Sequence, residues 1–192
     1  MESKNGYSNI KSFLMFDLFE SLLASGSDDQ QIILWNPFTY KKLLTLQSGH
    51  QGNIFSVKFL PNSRDSIIAS GAADSKVLVH DVESRETTMV CCCHLSRVKR
   101  LAVAPNVPNM FWSAGEDGLV LQYDIRQPHH CSSITNNVFI DLVHHIGSHA
   151  EAKCVTVNPL RPEMLAIGAN DAYVRLFDRR MVSPSNKVII RY

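Results

Sequence analysis

Four segments of the chain share one hydrophobic pattern: LLASGSDDQQIILWN (22–36), IIASGAADSKVLVHD (67–81), MFWSAGEDGLVLQYD (110–124) and MLAIGANDAYVRLFD (164–178). Each reads as a short apolar strand, a small-residue stretch, an acidic turn, a second alternating strand, and an aromatic or histidine before Asn or Asp. The closing positions are Trp35, His80, Tyr123 and Phe177, at steps of 45, 43 and 54 residues. A step of about 40–45 residues is that of a four-stranded propeller blade. The third step is longer because residues are inserted between about Gln127 and Lys153.

Other positions keep the same phase. His50, His94 and His149 precede three of the units, and Pro61, Pro105 and Pro159 follow them by ten or eleven residues. Between them lie strand-like runs at 54–60, 98–104 and 153–158. In the first, Phe55, Val57 and Phe59 alternate with Ser56 and Lys58, the period of a half-buried strand. Proline ends such a run because it has no N–H to give to a ladder. The turns Ser27-Asp28-Asp29-Gln30, Ala73-Asp74-Ser75 and Glu116-Asp117-Gly118 join strands closely, since Asp and Gly suit tight turns. Further strands are expected at 41–47, 86–92, 138–143 and 187–192. The fold class is all-β, with blades over 21–181 whose last repeat strands end near 36, 81, 124 and 178. Residues 1–20 read as an atypical N-terminal segment and 182–192 as a divergent tail.

Composition narrows the function classes. Of the 192 residues, 45% are hydrophobic and 19% charged, which suits a globular core rather than a disordered chain. The formal net charge is +1, so bulk charge gives no reason to expect a nucleic acid partner. No apolar run approaches the ~18 residues that a membrane span needs. The apolar patch at 13–19 is interrupted by Asp17 and has no small-residue cleavage site after it, so a secretory leader is not expected. Five cysteines, three of them consecutive, make a poor disulfide framework and point to a reducing compartment, the cytoplasm or nucleus.

These residues resemble the WD-repeat family. The resemblance implies a partial β-propeller of about four blades where the family has seven, with the first blade incomplete. It also implies a hydrogen-bonded His, Ser, Asp and Trp tetrad in each blade. By phase the tetrad positions are Ser25, Asp29 and Trp35 in the first unit, which has no upstream histidine. They are His50, Ser70, Asp74 and His80 in the second, and His94, Ser113, Asp117 and Tyr123 in the third. The fourth has His149, Asp171 and Phe177, with Ile167 where the hydroxyl would be. The aspartate stands six residues before the aromatic-type position in every unit.

A narrower resemblance lies in GHQGNIFSVKFLP (49–61), GAADSKVLVHD (71–81), RVKRLAVAP (97–105), FWSAGEDGLVLQYDIR (111–126) and EAKCVTVNP (151–159). Together these are similar to the adipose-type family of proteins that carry both WD and tetratricopeptide repeats, in its N-terminal propeller. That family implies a non-enzymatic substrate receptor, linked to lipid-storage control, that docks on the damaged-DNA-binding adaptor of a cullin-RING ubiquitin ligase and brings it a protein substrate. The Asp-x-Arg endings Asp124-Ile125-Arg126 and Asp178-Arg179-Arg180 match the family's adaptor-binding motif, so Asp124, Arg126, Asp178 and Arg180 are the implied contacts. The alternatives are a general WD-repeat scaffold, or a truncated or competing form without ligase binding.

Other clusters have simpler readings. A nucleophilic serine needs an exposed hydroxyl and donors for an oxyanion, whereas Ser70 and Ser113 sit inside strands among small apolar residues. No enzyme and no cofactor are therefore expected. The run Cys91-Cys92-Cys93-His94 is not assigned to a metal. Neighbours on a strand face opposite ways, and Cys131 and Cys154 add no usable zinc spacing. The histidines at 129, 130, 144, 145 and 149 read as a polar loop. Arg97, Lys99 and Arg100 read as a solvated strand edge.

Overall fold

The computed structural model describes residues 22–129, 131 and 137–182, with the backbone of 13–16 and 190–191. Four antiparallel four-stranded sheets make up almost all of it. The first holds β1 (Phe13–Phe16), β2 (Leu23–Gly26), β3 (Gln31–Asn36) and β4 (Lys41–Gln47). The second holds β5 (Ile54–Phe59), β6 (Ile67–Ala72), β7 (Val77–Asp81) and β8 (Glu86–Cys91). The third holds β9 (Val98–Val103), β10 (Met110–Gly115), β11 (Leu119–Asp124) and β12 (Val138–Asp141). The fourth holds β13 (Ala152–Val157), β14 (Met164–Ala169), β15 (Val174–Asp178) and β16 (Ile190–Arg191). One helical turn, α1 (Val143–Ile146), lies in the insertion.

Strand order follows chain order in every sheet, so each repeat is a meander. One register runs through all four: Leu23 faces Trp35, Ile68 faces His80, Phe111 faces Tyr123 and Leu165 faces Phe177. This is the all-β partial propeller that the repeat predicts. The segment 1–20, set apart as atypical, contributes the first strand of its sheet, because its apolar residues 13–16 pair with β2. The tail contributes β16.

Successive sheets stack face to face, their first strands side by side: β1 by β5, β5 by β9, and β9 by β13. Three apolar layers fill the gaps. Ile32, Leu34 and Leu46 of the first sheet meet Ile54, Phe59 and Ile68 of the second. Val77, Val79 and Cys91 meet Leu101, Phe111 and Tyr123. Trp112, Val120 and Ile140 meet Leu165, Ile167 and Phe177. Strand alternation explains why β10 is buried on both faces: Phe111 points to the second sheet and its neighbour Trp112 to the fourth.

The alternation expected of Phe55, Val57 and Phe59 fails at its first member. Ile54 pairs with Ala72 but Ser56 with Gly71, so Phe55 is an extra residue in a bulge. Its side chain is half-buried while Ser56 is buried, and the Ser56 hydroxyl accepts the Leu101 N–H of the next blade at 3.0 Å. The bulge recurs at Lys99 and Lys153 in the third and fourth sheets. The Lys99 ammonium lies over the Phe55 ring at 3.7 Å, so two bulged residues of neighbouring blades face each other.

Candidate functional site

The four repeats close on the same kind of turn. Asn36 Oδ1 accepts the backbone N–H of Phe38 and Thr39, and Asp81 Oδ1 accepts those of Glu83 and Ser84. Asp124 Oδ1 accepts the N–H of Arg126, and Asp178 Oδ1 that of Arg180. Such turns suit Asn and Asp because a short side chain replaces a backbone acceptor. The residue two past the acceptor therefore leaves the sheet in a fixed direction. In the first two blades it is Phe38 and Glu83; in the third and fourth it is arginine.

Both arginines fold back on their own aspartate in the same geometry. Arg126 Nε and Nη2 donate to Asp124 Oδ1 and Oδ2 at 2.9 and 2.6 Å; Arg180 does the same to Asp178 at 2.9 and 2.5 Å. The guanidinium is the first cause holding the Asp124 carboxyl below its usual range, and it brings Asp178 down to about 2. The arginine side chains remain 63% and 68% exposed. Ion pairs this exposed add little stability. What they fix is direction: two donors hold the plane still, and the remaining N–H groups are offered at the surface to a carboxylate or carbonyl. Adjacent Arg179 turns inward instead. Its Nε donates to Pro162 O at 2.7 Å and its guanidinium lies 5.6 Å from the Trp112 ring.

Behind these turns lie polar relays. In the second blade the Asp74 carboxylate only accepts, so the His50 Nδ1–H donates to it at 3.0 Å. That leaves His50 Nε2 as an acceptor, 2.9 Å from Ser70 Oγ. Ser70 in turn lies 2.8 Å from His80 Nε2, and His80 Nδ1 lies 3.2 Å from the Thr87 hydroxyl. In the third blade His94 Nδ1 is 2.9 Å from Asp117, its Nε2 is 2.6 Å from Ser113 Oγ, and the Tyr123 hydroxyl is 3.3 Å beyond. Burial works to raise Asp74 and Asp117, but donated N–H groups and the facing histidine hold both below the ordinary carboxylate value. Ser70 and Ser113 have no exposed surface.

The end units differ. In the first, Trp35 Nε1 donates to Ser25 Oγ at 2.9 Å, while Asp29 accepts from the Ser27 hydroxyl and the Gln31 N–H. In the fourth, the expected residues do not meet. Asp171 holds the buried Arg175 through both of its oxygens, at 2.9 and 2.5 Å. His149 is exposed, and Ile167 and Phe177 offer no hydrogen bond between them. Asn170 takes over the loop clamp, donating to His149 O and accepting the Glu151 N–H.

Several partners were not signalled by the repeat. Trp112 and Gln122 depart together from the aliphatic pattern, and they face each other in register with the indole N–H donating to Gln122 Oε1 at 3.0 Å. Glu116 collects two of the cations read as a solvated edge, Arg97 Nε at 3.1 Å and Lys99 at 4.0 Å, and adds Lys153 of the fourth sheet at 2.9 Å. Cys91 is buried in the second apolar layer, where burial pushes its thiol far up. Cys92 and Cys93 lie past the end of β8, and Cys93 meets His129 and Cys131 of the insertion. No helix among the described residues is long and apolar enough to cross a membrane.

Comparison with known proteins agrees with the repeat. Residues 4–36 and 41–81 match the WD domain, G-beta repeat family. The chain is 50% identical over 182 residues to WD and tetratricopeptide repeats protein 1 of Homo sapiens, covering 95% of this chain and 26% of that protein. It is 34% identical over 205 residues to Protein ALTERED SEED GERMINATION 2 of Arabidopsis thaliana, covering 93% and 27%. It is 37% identical over 163 residues to DDB1- and CUL4-associated factor 6 of Homo sapiens, covering 83% and 18%. The chain thus spans about a quarter or less of the length of these curated relatives. It carries WD repeats, and it is related to WD and tetratricopeptide repeats protein 1 and to DDB1- and CUL4-associated factor 6.

Proposed function

We propose that the chain is a protein-interaction propeller segment that docks on the damaged-DNA-binding adaptor of a cullin-RING ubiquitin ligase and presents a protein substrate to it. The observation that carries this reading is the pair of like Asp–Arg forks on consecutive blades, in a chain related to a protein named for its association with DDB1 and CUL4. Each fork is a planar donor set held by its own turn, so little side-chain freedom is lost when a partner carboxylate or carbonyl arrives. Recruitment needs no nucleophile, so in this role the chain itself transfers no ubiquitin. The setting would be the cytoplasm or nucleus.

The competing reading is a general WD-repeat scaffold, in which each arginine serves only its own turn. Co-precipitation separates them. Adaptor capture is expected from the wild-type chain, falling at least tenfold in an Arg126→Ala/Arg180→Ala double variant. Equal capture by both, or none by the wild type, favours the scaffold.

A further inference from the structure

The insertion that lengthens the third repeat step carries chemistry the repeat does not use. Because β8 ends at Cys91, strand alternation no longer governs Cys92 and Cys93. Cys93 is buried, and its Sγ lies 3.1 Å from His129 Nε2. Cys131 comes back to the same place, its Sγ accepting the Cys92 backbone N–H at 3.1 Å. The donor atoms of Cys93, His129 and Cys131 all lie within 4.8 Å of one another. The Asn137 amide stands 3.4 Å from His129 Nδ1.

Two sulfurs and one imidazole nitrogen converging on one point have the chemistry of a zinc-type site. Bonds of about 2.3 Å to sulfur and about 2.0 Å to nitrogen put such tetrahedral ligands roughly 3.5–3.8 Å apart. The Cys93–His129 contact is a few tenths of an ångström from that range. Thiolate and imidazole together select a borderline-soft cation over calcium or magnesium. A metal-bound imidazole also needs an acceptor for its other N–H. Asn137 Nδ2 lies 3.4 Å from Nδ1 and donates to Cys93 Sγ at 3.7 Å, so this amide serves the thiolate, and the imidazole acceptor is left to solvent.

We propose that Cys93, His129 and Cys131 form a three-ligand site for a divalent cation of the Zn²⁺ class, with the fourth position open. On binding, each thiol proton leaves to solvent and a sulfur–metal bond replaces the S–H bond; no oxidation state changes. The ion ties the insertion to the end of β8. It thereby fixes the segment that directly follows Arg126 against the flank of the second blade, where Met89 and Val90 line the same groove as Arg126 and His129.

The test uses Co²⁺ as the probe, added to the untagged full chain in a phosphine reductant. Wild type is expected to take up one equivalent, with a thiolate-to-cobalt charge-transfer band and the strong visible bands of a tetrahedral site. Cys131→Ser and His129→Ala should each weaken Co²⁺ binding at least tenfold. Both lie in the insertion rather than the core, so circular dichroism should show that they fold as wild type does. Cys92→Ser and the exposed Cys154→Ser should bind as wild type. Absence of the charge-transfer band at excess Co²⁺, or unchanged affinity in Cys131→Ser/His129→Ala, would overturn the site. So would loss of binding in Cys92→Ser with binding kept in Cys131→Ser.

Discussion

Acidification from pH 7 to pH 4 is expected to remove about 3 kcal/mol of stability through His80 alone. Burial, with the charge of nearby His50 second, brings the His80 pKa in the folded chain down from 6.5 to about 4. His80 is 2% exposed, and its ring spans Ser70 and Thr87. The unfolded chain therefore binds the extra proton first. Between pH 6.5 and about 4 it holds more protons than the folded chain, so stability falls as pH falls, by about 1.4 kcal/mol per unit. His50 adds to the same trend, because burial outweighs the pull of Asp74 and lowers its pKa as well. Asp74 acts later: its pKa lies below 3.8, so its contribution is lost only in stronger acid. Tyr123 fills the place of His80 in the third blade and does not titrate in this window. A His80→Tyr variant is therefore expected to lose about 3 kcal/mol of the acid dependence, whatever its stability at pH 7. Urea unfolding at pH 7, 5.5 and 4 measures both slopes. Parallel curves for the two proteins would mean that the relay does not hold His80 neutral.

The strand phase of this chain was legible because each blade repeats one register. Once Trp35, His80, Tyr123 and Phe177 are aligned, their partners on the preceding strands follow. The Asp-x-Arg spacing of the candidate site was legible for the same reason. That each guanidinium closes on its own carboxylate was not, since spacing alone does not choose between turning back and reaching outward. The bulge at Phe55 was invisible because Phe55, Val57 and Phe59 read as clean alternation. Only pairing against Ala72 and Gly71 reveals the extra residue. The fourth blade departs where one missing hydroxyl at Ile167 removes the bridge and Asp171 finds Arg175 instead. The grouping of Cys93, His129 and Cys131 depends on how the insertion folds back, a long-range event with no periodicity to announce it.

The small residues of β2, β6 and β10 also hide an inter-blade rule, and it yields the second large effect. A Cβ placed on Gly26 would stand 2.5 Å from Ile54 Cγ2, and one on Gly71 would stand 2.7 Å from Val98 Cγ1. The equivalent residue in the third blade is Ala114, and the residue equivalent to Ile54 and Val98 is Ala152, in the same apolar layer. The blades thus pair glycine with a β-branched residue twice, and alanine with alanine once. In a strand alanine would normally be favoured over glycine by roughly 0.5–1 kcal/mol. Gly71→Ala is nevertheless expected to destabilise the chain by about 2 kcal/mol, because Val98 is fully buried and cannot retreat. Val98→Ala alone should cost about 2 kcal/mol through the cavity it leaves. The double variant Gly71→Ala/Val98→Ala rebuilds the third blade's pair. It should cost no more than Val98→Ala, a coupling of about 2 kcal/mol between the two sites. Denaturant unfolding of the four proteins completes the cycle. Additive losses would show that blade spacing is not set by this contact, and the glycines would then need a reason within their own strands.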